Sequence, residues 1–215
     1  GSYAFDGCDN LETLTIEDIN IYGNGTEVID TYAFRGCNKL QEVKIGNNVK
    51  TVEWRAFQNC FSLHTITIGN NVTYIGGDAF SHSAIESITI PDSVETIGQA
   101  VFYNCQSLRH ITIPNSVTNL DWRVFFNNIE LRTANIGDGV PIIRLWLFKG
   151  CIKLETVIIG RSVNTIETLA FHECEALDSV FILSDNLTSI ANDAFSDSGL
   201  SKVYMSETAR SNLGL

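Results

Sequence analysis

The chain has 215 residues, is 44% hydrophobic with a mean hydropathy of +0.07, and carries a formal net charge of −11 at pH 7. That acidity excludes nucleic acid and anionic membrane surfaces as natural partners. No stretch approaches the roughly 20 apolar residues of a membrane span, so direct membrane insertion is excluded as well.

The chain opens Gly1-Ser2-Tyr3-Ala4-Phe5 with neither a start methionine nor a signal peptide, and is read as a trimmed piece entering a pattern in mid-unit. One residue type exposes that pattern. Phe5, Phe34, Phe57, Phe80, Phe102, Phe125, Phe148, Phe171 and Phe195 stand 29, 23, 23, 22, 23, 23, 23 and 24 residues apart. Self-similarity at a fixed period of this size is the signature of a repeat architecture.

Each anchor carries the same company. Six residues on stands a leucine (Leu11, Leu40, Leu63, Leu108, Leu131, Leu154, Leu177), with Ile85 and Leu200 one residue early. Nine and eleven residues on come apolar pairs such as Val43/Ile45, Ile111/Ile113 and Val157/Ile159, a period-2 alternation that predicts one short strand per repeat. Gly or Pro follows (Gly46, Gly69, Pro91, Pro114, Gly137, Gly160), then a valine three residues on, which predicts a tight turn. The Ala that usually precedes each Phe predicts a second, tighter turn, helical or irregular.

One such unit offers six or seven inward side chains, each contributing about 1.5–3 kcal/mol if fully buried. Ordering its 23 residues costs about 1–2 kcal/mol apiece. A lone unit is therefore unstable and must stack on its neighbours, giving a strand-dominated α/β solenoid of eight to nine repeats over residues 1–205, with 206–215 as a cap or tail.

All six cysteines (Cys8, Cys37, Cys60, Cys105, Cys151, Cys174) lie three residues past an anchor, a phase that predicts a buried ladder of free thiols; Ser83, Asn128 and Ser198 fill the other units. No CxxC spacing occurs, and His64, His82, His110 and His172 sit at four different phases, so no metal or cofactor is expected. No nucleophile motif or isolated carboxylate pair points to an enzyme. Of the three sequons, at Asn24, Asn71 and Asn186, the latter two lie in the repeat's own turn and read chiefly as turn asparagines, and Asp92, Asp138 and Asp185 are spaced too far apart for a calcium cage.

Binding is expected on outward columns. Ten residues past the anchor the column reads Thr15, Lys44, Thr67, Thr89, Thr112, Asn135, Ile158, Phe181, Tyr204, turning from polar to apolar at its end. The apolar trio is a candidate patch, with Thr112 and Asn135 beside it. A second candidate is the opposite side, where Trp54-Arg55 and Trp122-Arg123 occupy matching places before their anchors.

The unit I-x-I-P-x-S-V-x-x-I-G-x-x-A-F-x-x-C-x-x-L, nearly whole at residues 88–108, closely resembles the BspA-like, or Treponema-type, leucine-rich repeat. That resemblance implies a right-handed leucine-rich-repeat solenoid with one parallel sheet and short helical or irregular turns opposite, on a secreted or cell-surface protein of a host-associated microbe. It further implies a monomeric, non-catalytic module that adheres to a host extracellular-matrix or cell-surface protein or glycan. A passive spacer, or the targeting module of a larger enzyme, is the alternative.

Overall fold

A computed structural model describes residues 1–17 and 27–215, and within them the chain is a parallel β-solenoid of about 23 residues per turn. The sequon at Asn24 lies outside the described residues.

The expected strands form a parallel ladder. Its first part joins Thr13–Ile16, Glu42–Ile45 and Thr65–Thr67, and its second joins His110–Ile113, Thr133–Ile136, Thr156–Ile159, Ser179–Ile182 and Lys202–Tyr204. Pairing is in register one repeat apart, so Val43 meets Ile66 and Val157 meets Val180. The apolar residues turn inward and their neighbours outward, giving alternating burial along Glu42–Ile45 and His110–Ile113.

A second ladder, not anticipated from sequence, is made of two-residue strands five residues before each anchor. It runs from Val28–Ile29 through Thr51–Val52, Tyr74–Ile75 and Thr96–Ile97 to Asn119–Leu120, then resumes at Ile142–Ile143, Thr165–Ile166 and Ser189–Ile190. The interruption has a local cause. Lys50, Thr73, Glu95, Thr118 and Asn164 each donate a backbone N–H to the turn before, and the residue at this place in the interrupted turn is Pro141, which has none to give.

The break in the first ladder falls at residues 87–90. The unit between Phe80 and Phe102 is one residue short, and Pro91 and Pro114 stand where Gly46, Gly137 and others donate to the preceding turn. Among the described residues, Ser87, Ile88, Thr89 and Ile90 make no backbone hydrogen bond. The phenylalanine stack is also at its widest here, 5.9 Å between Phe80 and Phe102 against 4.9 Å between Phe171 and Phe195.

The corner around each Phe is irregular rather than helical. Residues two before and two after the anchor hold positive φ, as at Tyr32 (59°), Arg55 (56°), Arg123 (60°), Asn59 (61°) and Asn127 (61°). Left-handed backbone costs non-glycine residues about 1–2 kcal/mol each, so something must hold it. A third hydrogen-bond ladder does: Arg55 N–H donates to Gly77 O at 2.9 Å, Phe57 to Ala79 O at 2.8 Å and Asn59 to Ser81 O at 2.9 Å, and this pattern recurs from turn to turn.

Inside, Phe57, Phe80, Phe102, Phe125, Phe148 and Phe171 are fully buried and stack ring on ring, flanked by the leucine and isoleucine columns. The cysteines are free, as the shared phase implies, and five donate their thiol to the Phe carbonyl one turn back, from Cys37 to Phe5 O (3.2 Å) through Cys174 to Phe148 O (3.2 Å). Helix occurs at the C-terminal end, Glu207–Asn212, capped by Ser206 and held through buried Ala209 and the bond from Asn212 Nδ2 to Asp185 O.

Candidate functional site

Strand pairing places Thr112, Asn135, Ile158, Phe181 and Tyr204 side by side on the outer face of the first ladder. Phe181 and Tyr204 stack face to face, with ring centres 4.6 Å apart and planes 6° from parallel. The C-terminal helix does not cover them, since Tyr204 keeps 48% of its surface exposed. The strip is thus an apolar ledge, half-buried at Ile158 and Phe181 and open at Tyr204, on a face whose outward residues are elsewhere mainly Thr, Glu, Lys and Asn.

Its edge is charged and ordered. Lys202 Nζ lies 3.1 Å from Asp178, which also accepts hydrogen bonds from the hydroxyls of Ser201 (2.6 Å) and Ser179 (2.7 Å). Those hydroxyls, chiefly Ser201, together with Lys202, push the Asp178 carboxyl down to about 2. Asp178 therefore stays anionic across the physiological range.

Thr112 and Asn135 also line a groove of about 640 Å³ that opens where the ladder is broken. Thr89, His110 and Asp92 border it, and it runs past the strand ends to Arg161, paired with Asp138 at 2.9 Å, and to exposed Leu183. This groove was not foreseen. Its signal in the sequence is the 22-residue spacing between Phe80 and Phe102.

Trp54 and Trp122 lie on the corner, away from this face, and head separate clusters. Trp54 meets Tyr32 edge-on and carries the Arg55 guanidinium 4.0 Å above its ring. Trp122 packs against Trp146 at 6.1 Å, with Arg123 beside both. The histidines take local polar partners, His64 with Thr65, His110 with Thr133 and His172 with Ser196. Among the described residues no cluster of His, Cys, Asp or Glu could hold a metal ion, and no helix is long and apolar enough to cross a membrane.

Stacked parallel turns around a phenylalanine spine, with variation confined to outward columns, define a leucine-rich-repeat solenoid, a binding or scaffold class. The model of the BspA type leucine rich repeat region matches in six copies across residues 1–132 and 101–212, and the chain belongs to that family. Solved structures agree. A leucine-rich repeat protein of T. pallidum, TpLRR, is 28% identical with a TM-score of 0.71, over 76% of this chain and 77% of that one. A leucine-rich repeat protein of Bacteroides ovatus is 27% identical with a TM-score of 0.73, over 95% of this chain, which spans 54% of that protein. A leucine rich cell surface protein of Faecalibacterium prausnitzii is 25% identical with a TM-score of 0.56, over 99% of this chain and 65% of its own length. No curated protein sequence matches the chain.

Proposed function

We propose that this solenoid is an adhesive module of a surface or secreted protein, gripping a host matrix or cell-surface protein or glycan with the outer face of its first ladder. The observation that carries this reading is the in-register outward strip of half-buried Ile158 and Phe181 beside exposed Tyr204. Aromatic and aliphatic anchors inside a polar rim are the usual source of binding energy at an interface. The F. prausnitzii neighbour is described as a cell surface protein, which supports a surface setting for this chain.

The test is binding to an immobilised panel of matrix proteins and glycans, beside the triple variant Ile158→Ser, Phe181→Ser, Tyr204→Ser. Loss of a hot-spot cluster worth 2 kcal/mol or more weakens binding by about thirtyfold or more. That loss in a folded variant supports the reading. Equal binding by both proteins moves the site to another face, and no binding by either leaves a spacer.

A further inference from the structure

The corner columns change character across four turns. Three residues before the anchor, Trp54 and Trp122 flank Gly77 and Gln99; two before, Arg55 and Arg123 flank Asp78 and Ala100. Between Arg55 at one end and Trp122 and Arg123 at the other, above Asp78, Gln99 and Ala100, lies a pocket of about 300 Å³. Buried Ala100 lines it between walls carrying Tyr103, Trp122 and Arg123 on one side and Arg55 and Gln58 on the other.

Arg123 is unusual among the groups around it. Its guanidinium carbon lies 5.2 Å from the Tyr103 ring centre, 5.4 Å from Trp122, 5.0 Å from Phe126 and 5.6 Å from Trp146. Its Nε is buried without a hydrogen-bond partner, and among the described residues it has no ion pair, whereas Arg55 is paired with Asp78 at 3.2 Å. Two arginines against one aspartate leave a positive charge uncompensated, in a chain whose net charge is −11. A guanidinium packed among four rings, with no ion pair among the described residues, keeps its terminal N–H groups available for a planar oxyanion.

The remaining lining is neutral and polar. The Gln99 amide has no partner among the described residues, and Gln58 bonds only Ser81, at 3.3 Å. Asn104 donates its amide to His82 Nδ1 at 3.0 Å, so the ring is neutral with its proton on Nε2, and burial lowers its pKa in the same sense. One charge, two flat aromatic walls and several single donors and acceptors match a ring with hydroxyls and one carboxylate; a phosphate would call for more cations.

We propose that the corner pocket binds an acidic sugar, a uronate or a sialate, with its carboxylate on Arg123, its ring against Trp122 or Tyr103 and its hydroxyls on Gln58, Gln99 and His82. This site is separate from the sheet face and stands whether or not that face binds. The assay follows the indole N–H resonances of Trp122 and Trp146 in labelled protein during titration with sodium D-glucuronate, N-acetylneuraminate, D-glucose or acetate at constant ionic strength. Saturable shifts are expected for at least one acidic sugar, with a dissociation constant on the order of 1 mM and binding at least about tenfold weaker for glucose and acetate. Response to glucuronate alone assigns a uronate, and to neuraminate alone a sialate. Arg123→Gln and the milder Gln99→Ala each weaken binding by about tenfold, and the second keeps the test valid if the first fails to fold. Glucose binding as well as the acids overturns the role of Arg123, acetate binding as well overturns the sugar, and the absence of any saturable shift overturns the site.

Discussion

Asn128 occupies the cysteine column, fully buried, and neither its side-chain oxygen nor its nitrogen has a hydrogen-bond partner. In neighbouring turns a thiol in this place donates to a phenylalanine carbonyl one turn back, as Cys151 does to Phe125 at 3.1 Å. For Asn128 the corresponding acceptor is Phe102 O. A buried polar group left unsatisfied costs about 1–3 kcal/mol, so Asn128→Cys, which removes the stranded amide and supplies the missing donor, stabilises by that amount. For a chain of this length each kcal/mol is worth about 2–4 °C in melting temperature. Because repeat arrays need not unfold in one step, the sharper assay is urea denaturation under reducing conditions, with hydrogen exchange over residues 120–135. The converse change, Cys151→Asn, should destabilise by a similar amount. If Asn128→Cys unfolds at the same or lower urea than the parent, the thiol column is not the stabilising device described, and the reasoning fails.

Other expectations follow from the same geometry. Burial pushes the thiols of Cys60 and Cys151 up to about 12 and that of Cys105 up to about 11, from an ordinary 9.0. Their proton is thus held more tightly folded than unfolded, so their contribution to stability is intact below pH 9 and lost as pH rises towards 11–12. A pH titration of urea midpoints checks it, and a flat profile above pH 9 would sink it. Disulfide exchange with an aromatic reagent should label half-exposed Cys8 in the native protein and spare the five buried thiols; rapid labelling of Cys105 would contradict the burial of the thiol column. Amides of Ile88, Thr89 and Ile90 should exchange at least an order of magnitude faster than those of Val157–Ile159, which lie between two paired strands; equal protection would mean that the ladder closes in solution.

How much of this was legible from sequence divides by physical cause. Inward columns were readable because burial constrains chemistry at every turn, so Phe, Leu, Val and Ile recur at fixed phase and their register follows. The outward strip was readable for the same reason, since Ile158, Phe181 and Tyr204 inherit adjacency from the repeat. The second ladder was not, because a strand of two residues is too short to show alternation. Nor was the left-handed corner, since Tyr32, Arg55, Ala100 and Leu169 all adopt it and share no side-chain property. There the backbone ladder sets the conformation, with only the Asn or Gly at two past several anchors as a hint. The pocket at Arg123 draws on side chains from four turns, and becomes visible only once the corner is known to be tight.

A stack in which each turn touches only its neighbours separates the work of holding together from the work of binding. The phenylalanine spine and the corner ladder recur at every described turn, the two strand ladders have one break each, and the thiol column gives way to Ser or Asn in three turns; an outward column is free to switch from threonine to tyrosine without disturbing what lies beneath. Sites are therefore to be sought where an outward column breaks its own habit. The sheet strip does so where Thr112 and Asn135 give way to Ile158, and the corner pocket does so where Asp78 and Ala100 fall between Arg55 and Arg123. The strip draws its residues from the turns of Ile158, Phe181 and Tyr204, and the pocket from the turns between Arg55 and Arg123. Sharing no side chain, the two sites should respond to mutation independently, additive to within about 0.5 kcal/mol.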